Sequence, residues 1–522
     1  MVEVTIDPMT RIEGHMAIKL DVENGKVVDA HSMGMLWRGL ERVVLDRDPR
    51  DAPIILSRIC GVCHGVHRQC SILAIEHACM GEDYYPPANA VRIRNIIEAI
   101  QEIWDHAAHL TVLCGPDYAV YGLAGKYCPG LRQPHWAPPT STKPASTSAP
   151  CLEIDVDRYY QLLHSVILPV QKLCHEAMAI FGGKVPHHMT ALPGGVTVTP
   201  SPADIALAYA KMKEVKEVIY AVYTYVRDDF IPHLIDEHPD LVEVVTSIGS
   251  GVRNFLAYGV CPDPDNGYAK FLDGGIILGY PSNTTPQPVD LNEIEEHVKY
   301  SWYTDLSGGN VPREPPPEPS YGKAGAYSWI KAPRYKGYPC EVGPLARMLV
   351  NWNKYSGKME LLSMLEPEQR ASLLGRVLGR LEETRLYVDA VLDWILNLGE
   401  HLGEPVYDEG FQIKDGEGFG TWEPPRGALL HYIKISNGKT AAYQCVVPTT
   451  WNASPRDANG QRGPIEEALI GAPVPYNVDA GYYDVINPVR IVRSFDPCLA
   501  CAIHLMTPDG RLQKATVVPS VP

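Results

Sequence analysis

Long apolar runs are what this sequence most lacks. No stretch approaches about 18 uninterrupted apolar residues, so no segment is expected to cross a membrane as a helix. Met1-Val2-Glu3-Val4-Thr5-Ile6-Asp7 has neither a basic start nor an apolar stretch, so it does not read as a signal peptide. The compartment stays open, because a signal on a partner chain would serve both. Positive charge is scarce as well. Lys and Arg number 46 against 62 Asp and Glu, and the net charge of −16 argues against nucleic acid or an anionic membrane face as partner. Thirteen cysteines in 522 residues are too sparse for a disulfide scaffold. Cys70, Cys79, Cys114, Cys174, Cys340 and Cys445 lie in apolar or mixed surroundings and are expected as buried free thiols. No Gly-x-Gly-x-x-Gly or Walker-type loop occurs, which excludes the usual phosphate cradles, and no internal repeat is visible.

Apolar material is plentiful, at 45% of the chain, and the length allows two or three domains around a large core. Residues 2–31 alternate in strand fashion through Val2, Val4 and Ile6, then Met16, Ile18 and Leu20, then Val27 and Val28. Asn24-Gly25 is a hairpin signal, so a small antiparallel sheet is predicted at the N-terminus. Asn89 to Cys114 reads as a long helix with Ile93, Ile96, Ile97, Ile100, Ile103 and Trp104 on one face. Residues 131–150, rich in Pro, Ser and Thr, read as an exposed loop. Asp155 to Phe181 reads as a second helix, kinked at Pro169 and ended by Gly182-Gly183. A third starts with Ser201 as N-cap, Pro202 at the first position and Asp204 in the first turn, and runs to about Phe230, before Pro232. Residues 250–345 carry short strand-like pieces among Gly, Pro and Tyr. Glu366 to Leu398 reads as a fourth long helix, with Gly399 as its stop. The expected fold is mainly α with smaller antiparallel β parts (α+β), around a central bundle of long helices.

The chemistry concentrates in two Cys-x-x-Cys pairs. Cys60 and Cys63 lie in Arg58-Ile59-Cys60-Gly61-Val62-Cys63-His64-Gly65-Val66-His67. Cys498 and Cys501 lie in Asp496-Pro497-Cys498-Leu499-Ala500-Cys501-Ala502-Ile503-His504. Thiolates in two such pairs are the ligand set of one thiophilic metal centre. Structural zinc is the commonest use of such pairs, but zinc modules keep them about 15–20 residues apart. Here more than four hundred residues intervene. A redox pair would sit at a helix N-terminus after a strand, a context that neither segment offers in the sequence. If both pairs hold one centre, most of the chain folds up between them.

These segments, with Arg58 and His67 beside the first pair, resemble the large subunit of nickel–iron hydrogenases. The likeness extends through Thr10-Arg11-Ile12-Glu13-Gly14-His15, Trp37-Arg38-Gly39-Leu40-Glu41, Asp48-Pro49-Arg50-Asp51-Ala52, Lys331-Ala332-Pro333-Arg334-Tyr335, Pro424-Pro425-Arg426-Gly427 and Val447-Pro448-Thr449-Thr450-Trp451-Asn452. Matching blocks thus run from residue 5 to residue 504. The resemblance implies a single catalytic domain over 1–504. It also implies that residues 505–522 form a peptide cut off by a maturation protease once nickel-insertion proteins have loaded the metal.

What the resemblance implies for the site follows position by position. Cys60 and Cys498 would be terminal nickel ligands, and Cys63 and Cys501 would bridge nickel to an iron carrying carbon monoxide and cyanide, a Ni–Fe(CN)2(CO) centre. Position 498 is Cys, so this is not a selenocysteine variant at that ligand. The implied reaction is the reversible splitting of H2 into two protons and two electrons. A terminal cysteine thiolate or the Arg426 guanidine would accept a proton. The other reading of Arg426 is a donor to cyanide or to Asp117, since arginine is normally a hopeless base. Glu13 would relay protons towards solvent; the plainer reading pairs it with Arg11 or His15. Asp117 and Asp496 match carboxylates of the canopy over the site, and Pro425 would line the cyanide pocket. His67 would donate to a bridging sulfur. Glu41 and His504 match the ligands of a separate Mg2+, with a backbone carbonyl near Cys445. His106, His109, His187 and His188 take no assigned role.

The sequence holds no further cysteine cluster for iron–sulfur centres, so electrons need a wire on another chain. The family supplies it as a small subunit with iron–sulfur clusters. The expected function is therefore catalytic H2 uptake in a heterodimer. One alternative is an H2-sensing regulatory subunit, though such sensors tend to lack an extension beyond the last histidine, and this chain has one. Quinone-binding subunits of respiratory complex I resemble the fold but have lost the nickel cysteines, all of which are present here. A zinc-stabilised scaffold is the third alternative.

Overall fold

Alternating apolar residues at the N-terminus pair as strands β1 (Val2–Ile6), β2 (Met16–Glu23) and β3 (Lys26–Gly34), antiparallel and in that order. Asn24 and Gly25 both take positive φ, 51° and 73°, as a tight turn between β2 and β3 requires. The computed structural model describes residues 1–117, 166–237, 239–313, 315–478 and 481–499. The expected loop at 131–150 and the first part of the expected second helix lie outside them.

Helix α1 (His64–Met80) follows Cys63 directly and has no counterpart among the expected helices. It is buried on nearly every side, so its sequence lacks the one-sided apolar stripe that marks a surface helix. Its placement bears on the sequence reading that the first cysteine pair lacks the strand-then-helix context of a redox pair, which holds. Cys63 does stand at a helix N-terminus, though a 3-10 turn, Ser57–Ile59, precedes it rather than a strand.

Four further helices form the helical core, of which the first packs on α1. They are α2 (Ala88–Ala108, continued by a π turn His109–Leu113), α3 (Leu168–Gly182), α4 (Pro202–Tyr225) and α5 (Leu373–Glu400). α5 packs on α2 and α4, and α3 packs on the same two. The start of α4 follows from its sequence. Ser201 and Asp204 exchange side-chain and backbone hydrogen bonds in a capping box, and Pro202 takes a position that needs no N–H. Gly183 ends α3 in the left-handed conformation, at φ 76°.

Three details depart from expectation. Pro232 does not stop the chain's helical course. After a π turn, Val226–Phe230, it sits at the second residue of a short helix, Ile231–Glu237, where the missing N–H is harmless. α5 begins later than expected, at Leu373, with Ser372 accepting from the Gly375 N–H; Pro367–Arg370 is a separate turn. Gly399 is not its stop, because the helix runs to Glu400. A Cβ at Gly399 would stand 3.1 Å from Ile205 Cγ2, so this glycine lets α5 approach α4.

A second antiparallel sheet, β4 (Gly416–Trp422), β5 (Leu429–Ser436) and β6 (Lys439–Val446), lies on α1. Gly416, Gly418 and Gly420 alternate along β4 and face the helix. A Cβ on any of them would stand within 2.4 Å of an α1 backbone atom, so only glycine permits this approach. The last described helix, α6 (Ile486–Ser494), packs against α5. One apolar core runs through α1 to α5 and takes in Cys60, Cys63 and Cys498; a second lies beneath the N-terminal sheet and α6.

Candidate metal centre

Cys60 closes the turn before α1 in extended conformation, and Cys63 caps the helix three residues on. Cys498 comes from the far end of the chain. After α6, Asp496 takes a left-handed conformation, φ 55°, which asparagine and aspartate tolerate better than most residues. Pro497 follows, and the next residues lie beside the N-terminal segment. Glu13 and Cys498 pair as a parallel bridge: the Glu13 N–H donates to Pro497 O (3.2 Å) and the Leu499 N–H to Glu13 O (2.7 Å).

The three sulfurs lie within 4.8 Å of one another, all buried, the one such group among the described residues. Cys60 Sγ and Cys498 Sγ are 3.3 Å apart and form no disulfide. The N–H groups of Val62 and Cys63 donate to Cys60 Sγ at 3.2 and 3.3 Å, as suits a thiolate. The Cys498 N–H is held by Thr449 Oγ1 at 3.0 Å. Cys501 and His504 lie outside the described residues.

Glu13 meets the cysteine. The Cys498 thiol is 3.3 Å from Glu13 Oε2, whereas Arg11 turns to Asp117 and His15 to Asp7. Arg426 forks onto Asp105, with Nη1 and Nη2 each 3.1 Å from a carboxylate oxygen, and Nη2 also reaches Asp496 Oδ1 at 3.1 Å. Burial works against its charge, but Asp105, Asp496 and the thiols of Cys498 and Cys63 outweigh it and hold the guanidinium firmly protonated. Burial also opposes ionisation of Asp496, and Arg426, His109 and Arg380 overcome it to lower that carboxyl's pKa. Arg380 stands behind them, 3.2 Å from Asp496 Oδ2 and from Pro425 O and 2.8 Å from His106 Nδ1.

Arg426 therefore pairs with Asp105, a carboxylate the sequence reading missed, and not with Asp117. Asp117 binds Arg11 and Arg493 instead. The signal for Asp105 was present in Trp104-Asp105-His106, two adjacent ionisable residues beside the apolar stripe at the end of a long helix. His67, on the first turn of α1, places Nδ1 3.2 Å from His431 Nε2, and His431 continues to Tyr443 and Ser71. Burial pulls the His67 pKa down to about 4 against the raising influence of Cys60, so its ring is neutral.

Glu41 lies apart from the thiols, accepting from the Cys445 N–H at 2.8 Å. Burial pushes its carboxyl up to about 7, opposed by Lys331 and that amide. Such a buried carboxylate beside the chain at Cys445 is chemically suited to a hard cation.

A family profile described as nickel-dependent hydrogenase matches residues 38–129 and 153–504. The chain belongs to the nickel-dependent hydrogenase family. A HoxL-like profile matches residues 3–33. The "Periplasmic [NiFeSe] hydrogenase large subunit" of Desulfomicrobium baculatum is 36% identical, covering 97% of this chain and 95% of its own. The "Uptake hydrogenase large subunit" of Bradyrhizobium diazoefficiens is 32% identical, covering 97% and 96%. Among solved structures, the Ni-Fe-Se hydrogenase from D. vulgaris Hildenborough superposes with a TM-score of 0.78 at 34% identity, covering 96% of this chain and 100% of that one. This hydrogenase is thus a catalytic large subunit, an oxidoreductase acting on H2, and the regulatory alternative is not favoured.

Proposed function

We propose that this hydrogenase subunit cleaves H2 heterolytically in the direction of uptake and passes the electrons to a small subunit carrying iron–sulfur clusters. The observation that carries the reading is the meeting of Cys60, Cys63 and Cys498 in one buried group drawn from both ends of the chain. Three close, unbridged thiols with amide donors around them suit a soft metal, and the donor set fits a nickel–iron centre. Cys60, Cys63 and Cys498 would hold it, with Cys501 as the fourth ligand and Pro425 and Arg426 beside the carbon monoxide and cyanide ligands of iron. When bound, the centre supplies the Lewis acidity that polarises H2 and the capacity to take up its two electrons.

The chain's own residues handle the protons. Cys498 takes a proton at Sγ, and Glu13 Oε2, at 3.3 Å, receives it and passes it outward. Arg426 remains a fixed cation, because its fork is filled by Asp105 and Asp496. His67, neutral and hydrogen-bonded to His431, stands on the first turn of α1 and would donate to a bridging sulfur. Glu41 and His504 would hold a separate Mg2+. The sequence carries no further cysteine cluster that could hold iron–sulfur centres, which supports an electron route on a partner chain. Residues 1–504 form the catalytic domain, a reading supported by the family match ending at residue 504. Residues 505–522 are then the peptide removed by a maturation protease after nickel-insertion proteins have acted.

The test is elemental analysis, infrared spectroscopy and H2-dependent dye reduction on the subunit purified with its partner. Nickel and iron, carbon monoxide and cyanide bands, and turnover are expected, all lost in Cys498→Ser. Zinc alone without H2-dependent reduction would overturn the reading.

A further inference from the structure

We propose that Asp117 is a positioning residue that clamps Arg11 and Arg493 together, and so holds Glu13 of the N-terminal segment against Cys498 of the C-terminal one. The proposal rests on the relay reading of Glu13.

The Asp117 carboxylate is 1% exposed. Its Oδ1 receives Arg11 Nη2 from one side and Arg493 Nη1, at 2.6 Å, from the other, while its Oδ2 has no hydrogen-bond partner among the described residues. Arg11 lies two residues before Glu13, and its second nitrogen, Nη1, donates to Leu113 O at 3.1 Å. Arg493 lies on α6, five residues before Cys498. Its Nε donates to Thr10 O and its Nη2 to Thr10 Oγ1, both at 2.9 Å. Arg490, one turn earlier on α6, donates from Nε (3.1 Å) and Nη2 (2.6 Å) to the backbone carbonyl of Asp117 itself. One short stretch after α2 therefore anchors both segments that meet at the thiol. Immediately beyond the clamp those segments pair through the Glu13 and Leu499 amides, and the Cys498 thiol reaches the Glu13 carboxylate.

The clamp is electrostatic. Two guanidinium groups converge on one carboxylate oxygen, and they tolerate each other only because it lies between them. Without that charge they repel in a setting where Arg493 is largely withdrawn from water, and such uncompensated buried charge pushes segments apart. Proton transfer is sensitive to small displacements: the partners must stay within hydrogen-bond reach, and about 1 Å of misplacement can cost about 10²-fold. Asp117 thus acts on the reaction through Glu13, away from the Arg426 canopy.

The experiment uses the assembled enzyme carrying Asp117→Asn. Nickel, iron and the carbon monoxide and cyanide bands are expected to persist, with H2-dependent dye reduction down about 10-fold or more. Hydrogen exchange at the Glu13 and Leu499 amides should quicken while that of α2 stays unchanged. In a Glu13→Gln background the same change should cost nothing further, because both act on one step. Full turnover in Asp117→Asn, unchanged exchange at those amides, or losses that multiply in the double variant would each overturn the clamp. If Asp117→Asn fails to load metal, Arg11→Gln decides. This variant removes only the arm nearer the surface, and normal exchange and turnover in it overturn the proposal. Normal turnover of Glu13→Gln alone would overturn the relay reading, while amide exchange still tests the clamp by itself.

Discussion

Arg426 shows how far single side chains decide this site. Its fork is filled by Asp105 and Asp496, and Arg380 fixes Asp496 and the Pro425 carbonyl from behind. A further buried pair extends the arrangement, because His106 links Arg380 to Glu383, which grips Arg347 at 2.5 Å through two nitrogens. The planar fork is what the geometry uses, and lysine offers only a point charge. Arg426→Lys is therefore expected to keep nickel and iron while lowering turnover about 10²-fold. Elemental analysis beside H2-dependent dye reduction checks this, and unchanged kinetics would make Arg426 a structural residue. The alternative in which Arg426 donates to Asp117 is not what the structure shows, for a reason of the same scale: α2 already supplies a carboxylate at Asp105, one turn from the π segment that carries the chain away towards Asp117.

At the scale of elements, α2 carries a column of buried ionisable groups, Glu98, Glu102, Asp105 and His106, on the side facing away from its expected apolar stripe. Both sides of this helix are covered, so the polar side is not a solvent face. Glu98 shows the consequence. Burial alone pushes its carboxyl up from 4.5 to about 8. An acid raised in this way binds its proton more tightly in the folded state. Its contribution to stability is full below pH 4.5 and declines as pH rises to about 8, by up to about 1.4 kcal/mol per pH unit. Glu98→Gln mimics the neutral acid and lacks that decline. Its apparent Tm relative to the unaltered protein should climb between about pH 5 and pH 8 and then level off, as the shift predicts. A difference independent of pH, measured by thermal melts, would remove Glu98 from the account. α1 and β4 follow a different rule, since the alternating glycines of β4 trade side chains for backbone contact with the helix.

For the whole molecule, the site exists only when both ends of the chain dock together. The Glu13 strand and the Cys498 segment hydrogen-bond directly, and α6 is tied to the N-terminal segment through Arg493. On the proposed reading, a C-terminal segment held outside would leave Cys498 open for metal loading, and docking would close the site. That would be a physical reason for the proposed removal of residues 505–522 to come last. Mass spectrometry of the active, nickel-loaded subunit is expected to find a chain ending at His504. Full-length protein that holds nickel and turns over H2 would show that removal is not required.

The sequence by itself determined what local chemistry can determine. It specified the thiol pairs, the N-cap at Ser201, the turn at Asn24-Gly25 and the strand alternation that precedes it, because each depends on residues a few positions apart. It also carried the ordered blocks by which the family is recognised. Tertiary structure decided what depends on neighbours remote in sequence. It decided that Asp105 rather than Asp117 faces Arg426, that Gly399 spaces two helices instead of ending one, and that α1 is helical although it is buried all round. A helix covered on all sides leaves no periodic signal, and a carboxylate's partner is set by packing. Neither fact is written in local sequence, and both hold the site together.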